Sequence, residues 1–314
     1  MDEALYNVFI LLIALVMDYT LGEPPRFLHP VVWMGKVISL WEKAAPRSGS
    51  LAQLIYGAVA VLVTMALFAM PAYYLLAFLK GISPIVYVIA GALLLKTTFS
   101  VKELRTQAVE TRELLLKDHL DRARWHLRSL VSRRTDKLSK PLLVAATIES
   151  VAENISDSFV APLLYFVLFG IPGAVAYRVV NTFDAMIGYR GEYEYLGKPA
   201  ARLDDVLNFI PARLAGLIMV IAALFSRNNA SSAWRVMLRD HAKTESPNAG
   251  WTMSAAAGAL GVELEKAGYY KLGDAWVAPS PQIIDELLQM IQVVVVLWTL
   301  VCLFLEVMRF VFSS

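Results

Sequence analysis

Apolar residues in this chain fall into long runs broken by charges only at intervals, and the runs predict helices. No Asp, Glu, Lys or Arg occurs between Arg47 and Lys80. About 20 apolar residues cross a hydrocarbon core, so Leu51 to Met70 predicts a spanning helix. Ile82 to Leu95 follows the short Lys80-Gly81 break, and the two predict a hairpin. A third run lies between Asp157 and Arg178, and a fourth between Glu286 and Glu306. Ala4 to Met17 and Leu214 to Phe225 are shorter candidates. The N-terminal run lacks a basic n-region and a small-residue cleavage pattern, which predicts a retained helix and not a signal peptide.

Gly170-Ile171-Pro172-Gly173 interrupts the third run, leaving too few residues on either side to span separately. Broken helices at membrane depth are tolerated where they are buried in protein or line a cavity. Phe159 to Met186 is therefore expected to be a re-entrant pair or a kinked span bordering a site. Residues 101–140 place Leu104, Ala108, Leu115, Leu120, Ala123, Leu127 and Leu130 at helical spacing among charges, a mainly soluble helical segment. With eleven Lys/Arg against six Asp/Glu, that segment is expected in the cytoplasm, with the Lys80 hairpin and the N-terminus outside. A second polar stretch, 227–282, contains the small-residue run Ser254 to Gly261, a pattern of close helix packing. No fixed-period repeat or alternating strand pattern is evident. The fold class predicted is all-α, one domain over 1–314: a polytopic integral membrane helical bundle with broken or re-entrant helices and cytoplasmic helical segments.

Composition agrees. Hydrophobic residues make up 57% of the chain and charged residues 18%, against about 25% charged in soluble domains; mean hydropathy is +0.54. An ordinary soluble enzyme and a disordered chain are both excluded. A net charge of +2 leaves no basic excess for a nucleic acid. The single cysteine, Cys302, lies in an apolar run and is assigned to packing; it rules out a disulfide framework or a cysteine-built metal site. His29, His119, His126 and His241 show no metal-ligand spacing.

The informative residues are polar groups in apolar surroundings. Glu149, Glu153 and Asp157 lie at i, i+4 and i+8, about 40° apart per step on a helix, and form one stripe. Like charges at that spacing repel, and no Lys or Arg lies between Pro141 and Tyr177. A hard divalent cation such as Mg²⁺ would relieve the repulsion; so would arginines from elsewhere, or an exposed acidic face. Arg178, Asn181 and Asp184 share a second helical side, and Asp204, Asp205, Asn208 and Arg213 precede an apolar segment, where an aspartate also serves as a helix N-cap. Ionisable groups beside a bilayer point to function. Nucleotide-binding signatures are missing: Gly191 to Pro199 has one residue too many between its glycines for a P-loop, and proline in the hydroxyl position.

In this order the patterns resemble the adenosylcobinamide-phosphate synthase (CobD/CbiB) family of cobalamin biosynthesis. Asp18-Tyr19-Thr20-Leu21-Gly22-Glu23-Pro24-Pro25 with His29-Pro30-Val31 and Met34-Gly35 is similar to the family's opening signature. Glu149 to Asp157, running on to Ala161-Pro162-Leu163, resembles its Glu-Asn-x-x-Asp block. Asn181 to Tyr189, then Ala201 to Asn208 with Pro211-Ala212-Arg213, and finally Ser246-Pro247-Asn248-Ala249-Gly250 resemble the rest, over nearly the full chain. Two positions depart from it: Arg133-Arg134-Thr135 stands where the family often has Arg-Asp-Thr, so no role passes to Arg134, and Gly22-Glu23-Pro24 stands for Gly-Asp-Pro.

The resemblance implies an ATP- and Mg²⁺-dependent amide ligase joining aminopropanol (phosphate) to the carboxylate of adenosylcobyric acid. It also implies a cell-membrane protein whose active site faces the cytoplasm, where ATP is. On this reading Glu149, Glu153, Asp157, Asp184 and Asp205 are the catalytic acids, and Glu149, Glu153, Asp157, Asp184 and Asp204 are expected to hold Mg²⁺. Arg178, Arg202 and Arg213 would clamp phosphates. Asn154, Asn181, Asn208 and Asn248, with Ser246 and His29, would bind substrate. The expected partners are the corrinoid, the amine and the lipid bilayer, with no nucleic acid. A transporter, a prenyl- or alcohol-phosphate transferase and a non-enzymatic relative of the same fold are the alternatives. The first predicts inverted repeats that are not found, and the second an Asp-Asp-x-x-Asp spacing that Asn208 breaks.

Overall fold

The structure, a computed structural model, describes residues 3–128, 130–131, 133–189, 191 and 193–313. Thirteen α-helices follow one another among these residues: α1 (Glu3–Leu21), α2 (Pro30–Ala44), α3 (Ser50–Ile82), α4 (Pro84–Lys96), α5 (Val101–Leu116), α6 (Leu120–Leu127), α7 (Lys140–Ile155), α8 (Ala161–Ile187), α9 (Lys198–Leu207), α10 (Phe209–Phe225), α11 (Ala230–Asp240), α12 (Ala249–Leu260) and α13 (Pro281–Ser313). A small antiparallel hairpin, β1 (Leu264–Lys266) and β2 (Tyr270–Leu272), pairs Leu264 with Leu272. The hairpin is an addition to the all-α expectation: three residues per strand are too few for an alternating pattern to register.

Proline opens α2, α4, α7 and α9, where its missing N–H costs nothing. Five stretches are long and apolar enough to cross a membrane: Ala4–Leu21, Ser50–Ile82, Pro84–Leu116, Lys140–Ile187 and Pro281–Phe312. The bent pair α9–α10 is a sixth if counted as one span. The chain is thus a polytopic helical bundle, and the turn at Ser83 makes the hairpin expected around Lys80.

The chain divides into two compact units, each assembled from separate segments: Met1–Ser100, Ala161–Asn208 and Val301–Ser314 in the first, Val101–Val160 and Phe209–Leu300 in the second. The sequence reading had one continuous domain. The crossing at 300/301 falls inside α13, so no polar linker marks it.

In the first unit α1 packs on α4, and α3 on α4 and α8. Helix α8 is broken at Gly170, whose φ of 68° and ψ of −166° belong to a region that only glycine enters cheaply. Pro172 brings no N–H to the next turn, and carbonyls at the break need other donors. Arg309 supplies one, its Nη2 donating to the Val167 carbonyl at 2.7 Å. Glu306, fully buried, pairs with Arg309 at 3.4 Å and accepts from Asn7 Nδ2 at 3.3 Å. Polar side chains thus tie α1 and α8 to the last helix within apolar surroundings.

The second unit is built around α12, whose small residues from Ser254 to Ala259 are all buried. They let α11 and α10 approach closely. Helix α7 also packs on α12 and is buried on nearly every side. It ends in a π-helical turn, Ser156–Val160. That turn lies just past Glu153 and contains Asp157, the last carboxylate of the stripe read from the sequence. Such turns occur often at functional sites.

Candidate functional site

Four groups of polar side chains occupy the blocks singled out in the sequence. At the end of α1, Asp18 is fully buried. Lys96 Nζ lies between Asp18 Oδ1 at 3.2 Å and Glu23 Oε1 at 2.8 Å. Ser100 Oγ donates to Glu23 Oε1 at 2.6 Å, and His29 Nε2 meets Glu23 Oε2 at 2.7 Å. Burial alone would raise the Glu23 carboxyl, but the bonds from His29, Lys96 and Ser100 outweigh it and hold the group at about 2. His29 Nδ1 accepts from the Val31 backbone N–H at 3.2 Å, so its proton sits on Nε2. Both ring nitrogens of this expected substrate ligand are therefore engaged within the chain, capping α2.

The second group belongs to the first unit and joins α8 to α9. Tyr177 Oη donates to Asn208 Oδ1 at 2.9 Å, and Asn208 Nδ2 donates to Asp204 Oδ2 at 2.9 Å. Asp204 Oδ1, also buried, has no hydrogen-bond partner of normal geometry, although Asn181 and Asp184 both lie within its electrostatic reach. Asn181 Oδ1 accepts from Arg178 Nη1 at 3.1 Å. The Asp184 carboxylate folds back over Gly188, in space that any Cβ would occupy. Tyr165 stacks on Tyr177 at 5.2 Å and donates to the Leu207 carbonyl at 2.9 Å. Asp205 is less enclosed and lies 3.7 Å from Arg202, whose side chain is 74% exposed. Asp184, Asp204, Asn181, Asn208 and Arg178 are thus brought together, while Arg202 lies at the surface.

In the second unit Glu149, 5% exposed, is met by Arg133 Nη2 at 2.9 Å from Oε2 and by the Tyr270 hydroxyl, donating to the same oxygen at 3.3 Å. Burial, then the charges of Glu149 and Glu153, raises the Tyr270 phenol, so it stays protonated and donates. This is the arginine from elsewhere that the sequence reading left open. Asn154 turns inward along its own helix, donating to the Ser150 carbonyl at 2.9 Å.

A fourth group, also in the second unit, gathers Arg213, Asn248 and Ser246. The Arg213 guanidinium lies 3.5 Å from the Phe209 ring centroid and 4.8 Å from that of Trp251, which stacks on His241 at 4.0 Å. Arg213 Nη1 reaches Asn248 Oδ1 at 3.4 Å, and Ser246 Oγ accepts from the Asn248 and Ala249 N–H groups at 3.2 and 3.4 Å. Here Ser246 orders the turn before α12.

Among the described residues no three of His, Cys, Asp and Glu come together as metal ligands do. Glu149 does not fit the metal role expected of it, since among these residues it is not joined by two further carboxylate or imidazole ligands and its Oε2 is taken by Arg133 and Tyr270. Part-buried Asp184 and buried Asp204 do fit a hard cation: their like charges lie within electrostatic reach of each other, and Asp204 Oδ1 accepts no hydrogen bond of normal geometry. Mg²⁺ is commonly held by one or two carboxylates plus substrate phosphates. Sequence reasoning missed Tyr177, Lys96, Arg133 and Tyr270. Lys96, a lone cation closing an apolar run, carried a signal; Tyr270, in a polar loop, carried none.

Comparison with known proteins follows the same blocks. The CobD/Cbib protein family matches residues 11–298. A cobalamin biosynthesis protein CobD of Dehalococcoides mccartyi is 55% identical over 94% of this chain and 96% of its own length. Probable cobalamin biosynthesis proteins CobD of Methanothermobacter thermautotrophicus and Methanocaldococcus jannaschii are 43% and 39% identical, each over 85% of this chain and 87% and 88% of their own. No solved structure matches.

Proposed function

The chain belongs to the CobD/CbiB family, and from its role in cobalamin biosynthesis we propose that it is an amide ligase, adenosylcobinamide-phosphate synthase. It joins the free carboxylate of adenosylcobyric acid to aminopropanol phosphate at the expense of ATP. The observation that carries this reading is the pairing of part-buried Asp184 with buried Asp204, backed by Asn181 and Asn208, in the blocks that define the resemblance.

Hydroxide leaves a carboxylate poorly, so the acid is first activated. A carboxylate oxygen attacks the γ-phosphorus of ATP, giving an acyl phosphate and ADP. The amine, deprotonated by a carboxylate base, then attacks the acyl carbon, forming the C–N bond and releasing phosphate. Phosphoryl transfer needs positioning and charge neutralisation more than covalent help. Asp184 and Asp204 would hold Mg²⁺, which neutralises phosphate charge when bound. Tyr177, through Asn208, keeps Asp204 Oδ2 occupied, so that Oδ1 would be the oxygen left for a cation. Arg178, fixed by Asn181, presents its guanidinium to phosphate oxygens.

The test is turnover in detergent with adenosylcobyric acid, aminopropanol phosphate, ATP and Mg²⁺, following adenosylcobinamide phosphate by mass spectrometry. Wild type is expected to form it and Asp204→Asn to lose at least 100-fold. Product undiminished in the variant would remove Asp204 from the site; no product from folded wild type, with either the phosphorylated or the plain amine, would overturn the ligase.

A further inference from the structure

Beneath the β1–β2 hairpin, groups of both charges lie together with several buried polar atoms that make no hydrogen bond. Arg133 Nη2 is 2.9 Å from Glu149 Oε2, but its N–H bonds are not aligned with that oxygen. Arg133 Nε and Nη2 therefore make no hydrogen bond. Glu149 Oε1, also buried, accepts none either, while Oε2 takes the Tyr270 hydroxyl. Lys266, on β1, lies over the Tyr269 and Tyr270 rings at 4.6 and 5.9 Å and within electrostatic reach of Glu149, as does Glu153. Three separate segments converge here: the loop before α7, α7 itself and the hairpin. All belong to the second unit.

Buried donors and acceptors left unmade cost free energy in full, so this arrangement suits something that completes it. Two unused guanidinium nitrogens and an ammonium call for an anion with several acceptor oxygens. An unused carboxylate oxygen calls for a donor, best a cation. An anion alone would be repelled by Glu149 and Glu153, a cation alone by Arg133 and Lys266. A small zwitterion with its charges a few bonds apart satisfies both sets.

We propose that Arg133, Lys266, Glu149 and Tyr270 form a binding subsite for a short aminoalkyl phosphate. Arg133 and Lys266 take the phosphate oxygens and Glu149 Oε1 the ammonium, with Tyr270 holding Glu149 in place. The subsite rests on the ligase reading for its physiological ligand and makes the phosphorylated amine the one selected. Glu149 is then a substrate ligand and not a metal ligand.

The experiment is isothermal titration of the full-length protein in detergent with aminopropanol phosphate, without ATP or corrinoid. Plain aminopropanol and inorganic phosphate serve as single-charge probes. Wild type is expected to bind the zwitterion at least 10-fold more tightly than either probe. Arg133→Gln and Lys266→Gln should each weaken it 10-fold or more, and in turnover should raise KM for the phosphorylated amine while leaving KM for ATP in place. Equal affinity for zwitterion and phosphate, or binding unchanged in Lys266→Gln, would leave ordered water only beneath the hairpin and overturn the subsite. Turnover with an unaltered amine KM would overturn the subsite and keep the ligase. Binding as expected with no turnover would keep the subsite and overturn the ligase.

Discussion

Glu23 illustrates how much one carboxylate can organise. It takes bonds from Lys96, Ser100 and His29, and its carboxyl is held at about 2 against an ordinary 4.5. A depressed folded-state value means stability present above the ordinary carboxylate pKa and lost as pH falls toward the depressed one. The melting temperature of Glu23→Gln should therefore lie below wild type at neutral pH, and the gap should close between about pH 4.5 and pH 2. A gap independent of pH over that window would show that Glu23 acts by packing alone. At Gly188 the residue scale meets function, since any Cβ there collides with the Asp184 carboxylate. Gly188→Ala is expected to cut turnover 10-fold or more and also to lower the melting temperature, because its Cβ would lie 2.6 Å from the Asp184 backbone carbonyl oxygen. These roles were partly legible: Asp18 and Glu23 stood in the block resembling the family's opening signature and Asp184 in a polar stripe with Arg178 and Asn181, whereas Lys96 becomes a partner only once α4 is packed against α1.

At the scale of elements, the break in α8 and the π-helical turn after α7 stand out. Gly170-Ile171-Pro172-Gly173 announced the first, because glycine and proline act on the backbone locally. Gly170→Ala should cost about 1–3 kcal/mol, the usual strain of a non-glycine residue in such a conformation. Arg309→Met should destabilise by about 1–3 kcal/mol by leaving the Val167 carbonyl unmet; denaturant titration in detergent measures both. Unchanged stability in Arg309→Met would mean that water or lipid serves that carbonyl instead. The π-helical turn had no such signature. Ser156 to Val160 contains no glycine or proline, and its extra residue follows from how α7 and the turn pack on α12 and α10.

Over the whole molecule, five apolar stretches, or six with the bent pair, make a multi-pass protein. On the ligase reading, which draws on ATP, the proposed site is expected on the cytoplasmic face. A cysteine at Tyr195, in the turn between α8 and α9, should label from the cytoplasmic side in intact cells; labelling only from outside would overturn that placement. By itself, the sequence determined what depends on local physics. Long apolar runs have to be helices in lipid, because only helices satisfy their own backbone there. Glycine and proline mark the break, and the ordered polar blocks identify the family. Only the tertiary structure decided which charges meet. Arg133 and Tyr270 reach Glu149 from 16 residues before it and 121 after it, and Asp204 shares a pocket with Asp184 across a turn. Charge pairing depends on distance in space, falling off within a few ångströms, and distance along the chain carries no record of it.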